Sequence, residues 1–250
     1  EKPLAQMNAE FKGGSSFPGG LENVSGDVKY HMGYSLDKEI NGKDVHVSLA
    51  FNPSHLEAVN PVVAGKVRAK RDMQDNQDQF ESMAVLIHGD AAFMGQGSVA
   101  ELLNMARVKA YDIEGTIHII VNNQIGFTAN CDDSRSTMYS SDIAKMIEAP
   151  ILHVNGNEPE AVIKATQIAT EFKHKFKRDV VIDINCYRRY GHNEGDEPNY
   201  TQPIMYKAIK ELDPLDKQYA NDLIVSGAIN KAELDEITKA RAELLNAAFD

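Results

Sequence analysis

The sequence has few cysteines and no long apolar run, and each shortage excludes a class of protein. Its two cysteines, Cys131 and Cys186, form no CxxC motif and have no pair of histidines beside them. Neither a disulfide framework nor a zinc site is therefore expected, and a reducing compartment fits best. No stretch approaches the ~20 consecutive apolar residues of a membrane-spanning helix. The first residues also lack the basic and apolar regions of a secretory signal, so we expect no membrane partner.

Basic residues are in short supply as well. Lys and Arg total 26 against 37 Asp and Glu, which gives a formal net charge of −11 over the 250 residues. A protein that neutralises nucleic-acid phosphates needs a charge of the opposite sign, so we expect no nucleic-acid partner. The length allows one large α/β domain or two small ones.

The middle of the chain alternates short apolar runs with helical patterns. Four runs have the length and composition of buried strands: residues 83–87, 116–121, 151–154 and 180–186. Continuous apolar strands separated by helices predict a doubly wound parallel sheet with both faces covered and right-handed crossovers, which is an α/β fold. An earlier alternating run over residues 45–51 predicts a further strand.

Several polar residues mark predicted helix starts. Ser98 and Glu101 have the spacing of a capping box, as do Asn230 and Glu233, and Asn157 can cap the helix before the last strand. The predicted organisation is a flexible initial segment, an α/β domain and a C-terminal helical extension, over residues 1–26, 27–212 and 213–250.

Polar residues follow two of the predicted strands where each strand ends. Asp90 comes soon after the first strand and Asn123 soon after the second. Because ligands of open α/β sheets bind at the carboxyl edge, these side chains are expected to face one site. A carboxylate, an amide and the backbone carbonyl of a residue such as Ile125 are hard oxygen ligands of the kind that Mg²⁺ prefers. The chain has neither a Walker-type loop nor a full G-x-G-x-x-G, so a metal-bridged diphosphate is the expected ligand.

Longer motifs surround these positions. Gly89-Asp90-Ala91, followed by Asn122-Asn123, resembles the thiamine-diphosphate motif, with Ala91 in place of the usual third glycine. Six motifs stand in order: GDVKYHMG at 26–33, NPSHLEAVNPVV at 52–63, HGDAAFMGQG at 88–97, VNNQIGFT at 121–128, CYRRYGHNE at 186–194 and TQPIMY at 201–206. Together they resemble the first component of 2-oxoglutarate dehydrogenase, a family of thiamine-dependent decarboxylases.

This resemblance implies roles for individual residues. The residues implied to hold Mg²⁺ are Asp90, Asn123 and, through its carbonyl, Ile125. Those implied to bind thiamine diphosphate are the same three together with Ser54, Leu56, Gly89 and Ala91. Those implied to line the pocket of the 2-oxo acid substrate are His31, Ser54 and His192, of which the two histidines are the implied catalytic residues.

The resemblance also implies a reaction and its partners. The reaction is oxidative decarboxylation of 2-oxoglutarate in the tricarboxylic acid cycle, with succinyl transfer to a lipoyl-bearing dihydrolipoamide succinyltransferase. Such enzymes form homodimers, and the expected compartment is the bacterial cytoplasm, or the mitochondrial matrix for a eukaryotic source. They also need a glutamate from a pyrimidine-binding domain, and this sequence contains no second doubly wound domain. We therefore expect the chain to be the diphosphate-binding part of a longer polypeptide and to be inactive alone.

Other interpretations stay open. A pyruvate dehydrogenase or a transketolase would use the same cofactor, but the KYHMG and NPSHLE motifs argue against both. A catalytically silent scaffold would have no need to keep a complete Mg²⁺ ligand set. A phosphate-binding hydrolase would need a P-loop or a G-x-S-x-G elbow, and the sequence has neither. His118 and His153 are explained more simply by packing or surface positions, and His55 could be a structural partner of Glu57.

Overall fold

The computed structural model describes residues 3–11, 31–74 and 82–249. Its contacts divide the chain into two compact units, the larger being His55–Leu215 and the smaller combining Glu1–Ser54 with Asp216–Asp250. The larger unit ends close to the domain boundary predicted at residue 212, and the three predicted domains remain a prediction. Residues 12–26 of the predicted flexible segment lie outside the described residues.

Strands and helices alternate along most of the described chain. The strands are β1 (Tyr34–Ile40), β2 (Lys43–Leu49), β3 (Ala84–Gly89), β4 (Thr116–Asn122), β5 (Ile125–Gly126), β6 (Ala129–Asn130), β7 (Ile151–Asn155) and β8 (Val180–Asn185). The α-helices are α1 (Leu4–Phe11), α2 (Val59–Asp72), α3 (Asp90–Gly95), α4 (Gly97–Met105), α5 (Cys131–Ser134), α6 (Pro159–Phe176), α7 (Pro203–Glu211), α8 (Leu215–Val225) and α9 (Lys231–Phe249). Two 3-10 helices are Ser140–Ile147 and Pro198–Tyr200.

A parallel sheet forms the centre of the larger unit. Its four strands lie in the order β3, β4, β8 and β7, and every neighbouring pair is parallel. The predicted α/β class with a parallel sheet between helices is confirmed. All four carboxyl ends lie at one edge, as the parallel arrangement requires, and this edge carries the candidate site.

The central strands β4 and β8 pack against other elements on both faces, since alternate strand residues point in opposite directions. On one face Ile120 of β4 packs with Phe93 of α3 and Leu103 of α4. On the other face Ile117 packs with Ala169 of α6. Burying a large apolar side chain contributes roughly 1.5–3 kcal/mol, so these clusters hold the strands firmly beneath the carboxyl edge.

Two of the predicted helix starts are wrong. The N-cap of α4 is Gln96, so Ser98 lies inside the helix and does not cap it. The N-cap of α6 is Glu158 rather than Asn157, and Pro159 is the first helical residue. Proline favours this position because its fixed φ suits a helix and its missing N–H would have no partner there.

Most of the described residues of the smaller unit are exposed. β1 and β2 form an antiparallel hairpin in which most residues are exposed, and β2 ends at Leu49, two residues before the end of the predicted strand at 51. α8 and α9 have no buried residue. The predicted capping box at α9 is confirmed, because the backbone N–H groups of Asn230 and Glu233 each donate to the side chain of the other.

Candidate functional site

The carboxyl end of β3 leads directly into a buried acidic side chain. Asp90 is the first residue of α3, and only 2% of it is exposed. Burial raises the pKa of its carboxyl group, whereas backbone amides, including that of Asn123, and the nearby Arg135 act in the opposite direction. A carboxylate held in this way at the open edge of a sheet is suited to receive a cation.

The segment after β4 packs against the first turn of α3, which carries Asp90. Asn123 Oδ1 accepts a hydrogen bond from the backbone N–H of Ile125 over 3.2 Å, which tightens this segment. A Cβ atom at Gly126 would lie only 2.8 Å from the Cβ of Ala91, the residue after Asp90. The structure therefore brings the Asp90 and Asn123 segments together, as their places at neighbouring strand ends predicted.

The donors in these two turns suit a hard divalent cation. The Asp90 carboxylate, the Asn123 side-chain oxygen and the Ile125 carbonyl are all oxygen ligands. Space is open beside Gly89, where a Cβ atom would meet nothing within 4 Å. Across residues 3–11, 31–74 and 82–249, no three His, Cys, Asp or Glu side chains cluster in a way that could hold a metal. A metal at this edge would thus depend on amide and carbonyl oxygens and on oxygens that its ligand supplies.

An arginine that the sequence analysis did not single out approaches the same carboxylate. Arg135 Nη1 lies 3.6 Å from Asp90 Oδ2, and 9% of the arginine side chain is exposed. This separation is too long for a hydrogen bond. Nη1 has no hydrogen-bond partner among the described residues. Leaving a buried donor unpaired costs about 1–3 kcal/mol, so a ligand with an acceptor oxygen beside Arg135 Nη1 would be stabilised.

The other predicted site residues are divided between the two units. Leu56 and His192 lie in the larger unit, and both are exposed. The His192 ring lies 4.7 Å from the ring of Phe127, which follows directly after β5. His31 and Ser54 lie in the smaller unit, so their contacts with cofactor and substrate remain predictions.

A buried chain of polar side chains, which no sequence motif indicated, runs beneath the edge. His88 Nδ1 lies 2.6 Å from Glu57 Oε2, and His88 Nε2 lies 3.1 Å from His118 Nδ1. His118 Nε2 lies 3.5 Å from Asp179 Oδ2. Burial lowers the pKa of His88, although the hydrogen bond with Glu57 opposes this shift. Glu57 is thus paired with His88, and the partnership with His55 considered from the sequence is wrong.

A polar cleft of about 340 Å³ opens beyond Arg135, at the ends of β4, β7 and β8. Asp183 lies in its wall, fully buried, and accepts hydrogen bonds from Ser141 over 2.7 Å and Asn122 over 3.0 Å. His153 Nδ1 lies 3.3 Å from the same carboxylate, which fits the structural role predicted for this histidine. Burial raises the pKa of the nearby Cys186 thiol to about 11, so this thiol stays protonated and unreactive near neutral pH.

The described helices do not have the character of membrane spans. Within residues 3–11, 31–74 and 82–249, none combines the length and the apolar composition needed to cross a bilayer.

Comparison with known proteins finds a family and several close relatives. The family described as dehydrogenase E1 component matches residues 3–250. A protein of Rickettsia felis named 2-oxoglutarate dehydrogenase E1 component is 56% identical over 245 residues, which cover 97% of this chain and 25% of the relative. The same name is carried by a protein of Brucella anthropi that is 52% identical over 258 residues, covering 100% of this chain and 26% of the relative. The chain thus spans about a quarter of the length of the curated relatives it matches.

Proposed function

The chain belongs to the dehydrogenase E1 component family, and from this premise we propose that it is the diphosphate-binding part of a 2-oxoglutarate dehydrogenase. The proposed reaction is thiamine-dependent oxidative decarboxylation of 2-oxoglutarate, and the relatives are named 2-oxoglutarate dehydrogenase E1 component. The observation that carries the proposal is the packing of the Asp90 and Asn123 turns at one sheet edge. A metal-bridged diphosphate needs oxygen ligands gathered in this way.

The proposed roles of the edge residues follow from their chemistry. Asp90, Asn123 and the carbonyl of Ile125 would hold Mg²⁺, because they offer hard oxygen donors from adjoining turns. The diphosphate would lie against the open space at Gly89 and the start of α3. The further residues proposed to contact the cofactor are Ser54, Leu56 and Ala91. Bound thiamine diphosphate supplies an electron sink for decarboxylation of a 2-oxo acid.

Two histidines are proposed to act directly on the substrate. His31 and His192 would bind the 2-oxo acid together with Ser54, and they would hold or deliver a proton where negative charge develops on the keto oxygen. Histidine suits this task because its ordinary pKa lies near neutrality, and a positioned acid or base of this kind contributes typically 10²–10⁴-fold to a rate. The contact of His192 with Phe127 supports a place beside the Ile125 segment for this histidine.

The proposed assembly extends beyond this chain. We propose that the full-length polypeptide is a homodimer and passes its succinyl group to a lipoyl-bearing dihydrolipoamide succinyltransferase. A bacterial cytoplasmic location agrees with the bacterial sources of the relatives. Because the chain spans about a quarter of the length of its relatives, we propose that these 250 residues alone catalyse no turnover.

The first test of the proposal is 2-oxoglutarate decarboxylation by the full-length polypeptide with an artificial electron acceptor. Activity should require both thiamine diphosphate and Mg²⁺ and should exceed activity with pyruvate. Asp90→Ala should lower activity by at least about 10²-fold, because it removes the only charged ligand proposed for the metal. Asp235→Ala, a loss of the same charge on the exposed α9, is the matched control and should keep full activity.

Each contrary result has a definite meaning. Full activity in Asp90→Ala would show that Asp90 is not a metal ligand. A preference for pyruvate would assign the chain to a different thiamine-dependent dehydrogenase. Failure to consume any 2-oxo acid would favour the scaffold interpretation. Turnover by the isolated 250 residues would contradict the need for a further domain.

A further inference from the structure

The guanidinium of Arg135 is held beside Asp90 by its own loop. Its Nε donates to the carbonyl of Thr137 over 3.2 Å, and its Nη2 donates to the carbonyl of Met138 over 3.1 Å. These two bonds fix the plane of the group. The third nitrogen, Nη1, is left facing Asp90 Oδ2 at 3.6 Å without a hydrogen-bond partner in the described part of the chain. The arginine is thus positioned by backbone carbonyls and not by the carboxylate.

The charges at this edge are poorly suited to a free cation. Arg135 and Asp90 are both more than nine-tenths buried, so water screens their interaction weakly. A divalent cation bound to Asp90 would lie within a few ångströms of the permanent positive charge of Arg135. Repulsion between the two should weaken binding of the metal on its own. Asp183, the buried carboxylate of the adjoining cleft, is already engaged by Ser141 and Asn122.

A diphosphate changes this balance. Its negative charges would offset both the metal and the guanidinium, and its oxygens are acceptors of the kind that an arginine N–H binds well. The unpaired Nη1 could then make the hydrogen bond that it lacks in the free chain. The same arginine would therefore weaken binding of the metal alone and strengthen binding of the metal together with diphosphate.

We propose that Arg135 couples the two binding events, so that the Asp90 site takes up a divalent cation as its diphosphate complex and discriminates against the free cation. The inference rests on the proposed function and adds to it a residue that decides in which form the metal binds. Coupling of this kind is reciprocal, so the metal must also strengthen binding of the diphosphate.

The test measures binding directly, with the full-length polypeptide and with Mn²⁺ as a spectroscopic substitute for Mg²⁺. Free Mn²⁺ is followed by electron paramagnetic resonance during titration, first without and then with saturating thiamine diphosphate. In Arg135→Met, the affinity for Mn²⁺ alone should rise by about tenfold, because a nearby like charge is removed. With thiamine diphosphate present, the affinity should instead fall by about tenfold, because a charge-assisted hydrogen bond is lost.

Two further variants serve as controls for charge and folding. Arg135→Lys keeps the positive charge, so its affinity for Mn²⁺ alone should stay within about twofold of the unchanged protein. Arg107→Met removes an arginine that pairs with Glu148 and the Ile147 carbonyl, away from the Asp90 edge, and should alter neither affinity. Thermal melting of each variant shows whether the fold is retained.

The outcomes separate this inference from the proposed function. If Arg135→Met binds Mn²⁺ alone no better than the unchanged protein does, the arginine does not oppose the free metal and the coupling is wrong. A parallel fall in both affinities would also overturn it, since that pattern reports only local damage. If the unchanged polypeptide binds no Mn²⁺ even with thiamine diphosphate, the proposed function itself fails.

Discussion

At the scale of single residues, Gly126 determines how closely the two turns of the site can approach. The absence of a side chain there lets the segment after Asn123 lie against Ala91. Any larger residue must push the Ile125 carbonyl and the Asp90 carboxylate apart. The geometry of the proposed metal ligands thus depends on one hydrogen atom in place of a methyl group.

We predict that Gly126→Ala lowers the affinity for thiamine diphosphate with Mg²⁺ by about tenfold, because misplacing a binding group by even a fraction of an ångström is costly. The loss of stability should be modest, about 1 kcal/mol, since the contact is at the edge and not in the core. Calorimetric titration of the full-length polypeptide measures the affinity. Gly97→Ala, where a Cβ meets open space, should leave this affinity unchanged.

The double variant Gly126→Ala with Ala91→Gly gives a stricter check. It removes the atom that the new methyl group would strike, so binding should recover most of the loss. A double variant no better than Gly126→Ala alone would contradict the explanation, because distant or independent effects simply add.

The positions of Asp90 and Asn123 were predictable from the sequence, whereas that of Arg135 was not. Each of the first two follows directly after an apolar strand, and parallel strands bring their carboxyl ends together. Arg135 follows a two-stranded hairpin and a short helix, and no hydrophobic periodicity or motif in this segment indicates where the chain runs. The proximity of Arg135 to Asp90 is therefore visible only in the folded structure.

At the scale of secondary-structure elements, the buried Glu57, His88, His118 and Asp179 network joins β3, β4 and the residues before α2 and β8. Because burial lowers the pKa of His88, the folded state binds its proton less readily than the unfolded chain does. The stability that goes with neutral His88 is therefore present above pH 6.5 and lost as the pH falls below 6.5, where the unfolded chain takes up the proton.

We predict that His88→Gln lowers the free energy of unfolding at pH 7.5 by about 1–3 kcal/mol, since buried partners lose a hydrogen bond. The variant should also lose less stability than the unchanged chain between pH 7 and pH 5. Urea denaturation across this pH range measures both effects. His174→Gln, on the exposed side of α6, is the control and should follow the unchanged chain. Parallel curves for His88→Gln and the unchanged chain would exclude His88 as the titrating group.

The sheet was more predictable than the helix ends. Strands β4 and β7 contain the whole of their predicted apolar runs. For β4 the reason is burial on both faces, which favours a continuous apolar run, whereas β7 lies at the edge of the sheet and is only partly buried. The α9 cap was also predictable, since the capping-box spacing of Asn230 and Glu233 is sufficient for their two reciprocal hydrogen bonds. Asn157 failed as a cap because Pro159 fixes the start of α6, and the segment 140–147 became a 3-10 helix whose tight packing against α3 and α4 is a tertiary effect.

At the scale of the whole molecule, the two units differ in how much they bury. The larger unit contains the sheet, whose central strands include Ile120 and Ile182 with no exposed surface. The smaller unit contains a hairpin with most residues exposed and two helices without a buried residue. A two-stranded hairpin has little stability of its own in water. Local opening should therefore need far less free energy in the smaller unit than in the sheet.

We predict that hydrogen exchange in the 250-residue chain is slowest in β4 and β8 and at least about 10²-fold faster in β1, β2, α8 and α9, because exchange follows the free energy of local opening. Mass spectrometry of peptic peptides measures the rates, and α6, which packs on the sheet through Ala165 and Ala169, provides an intermediate reference. Equal protection of β1 and β4 would contradict the difference in burial, because the hairpin would then open only when the whole chain unfolds. If the prediction holds, the site at the ends of β3 and β4 adjoins the slowest-opening part of the chain, as the fixed spacing of its ligands requires.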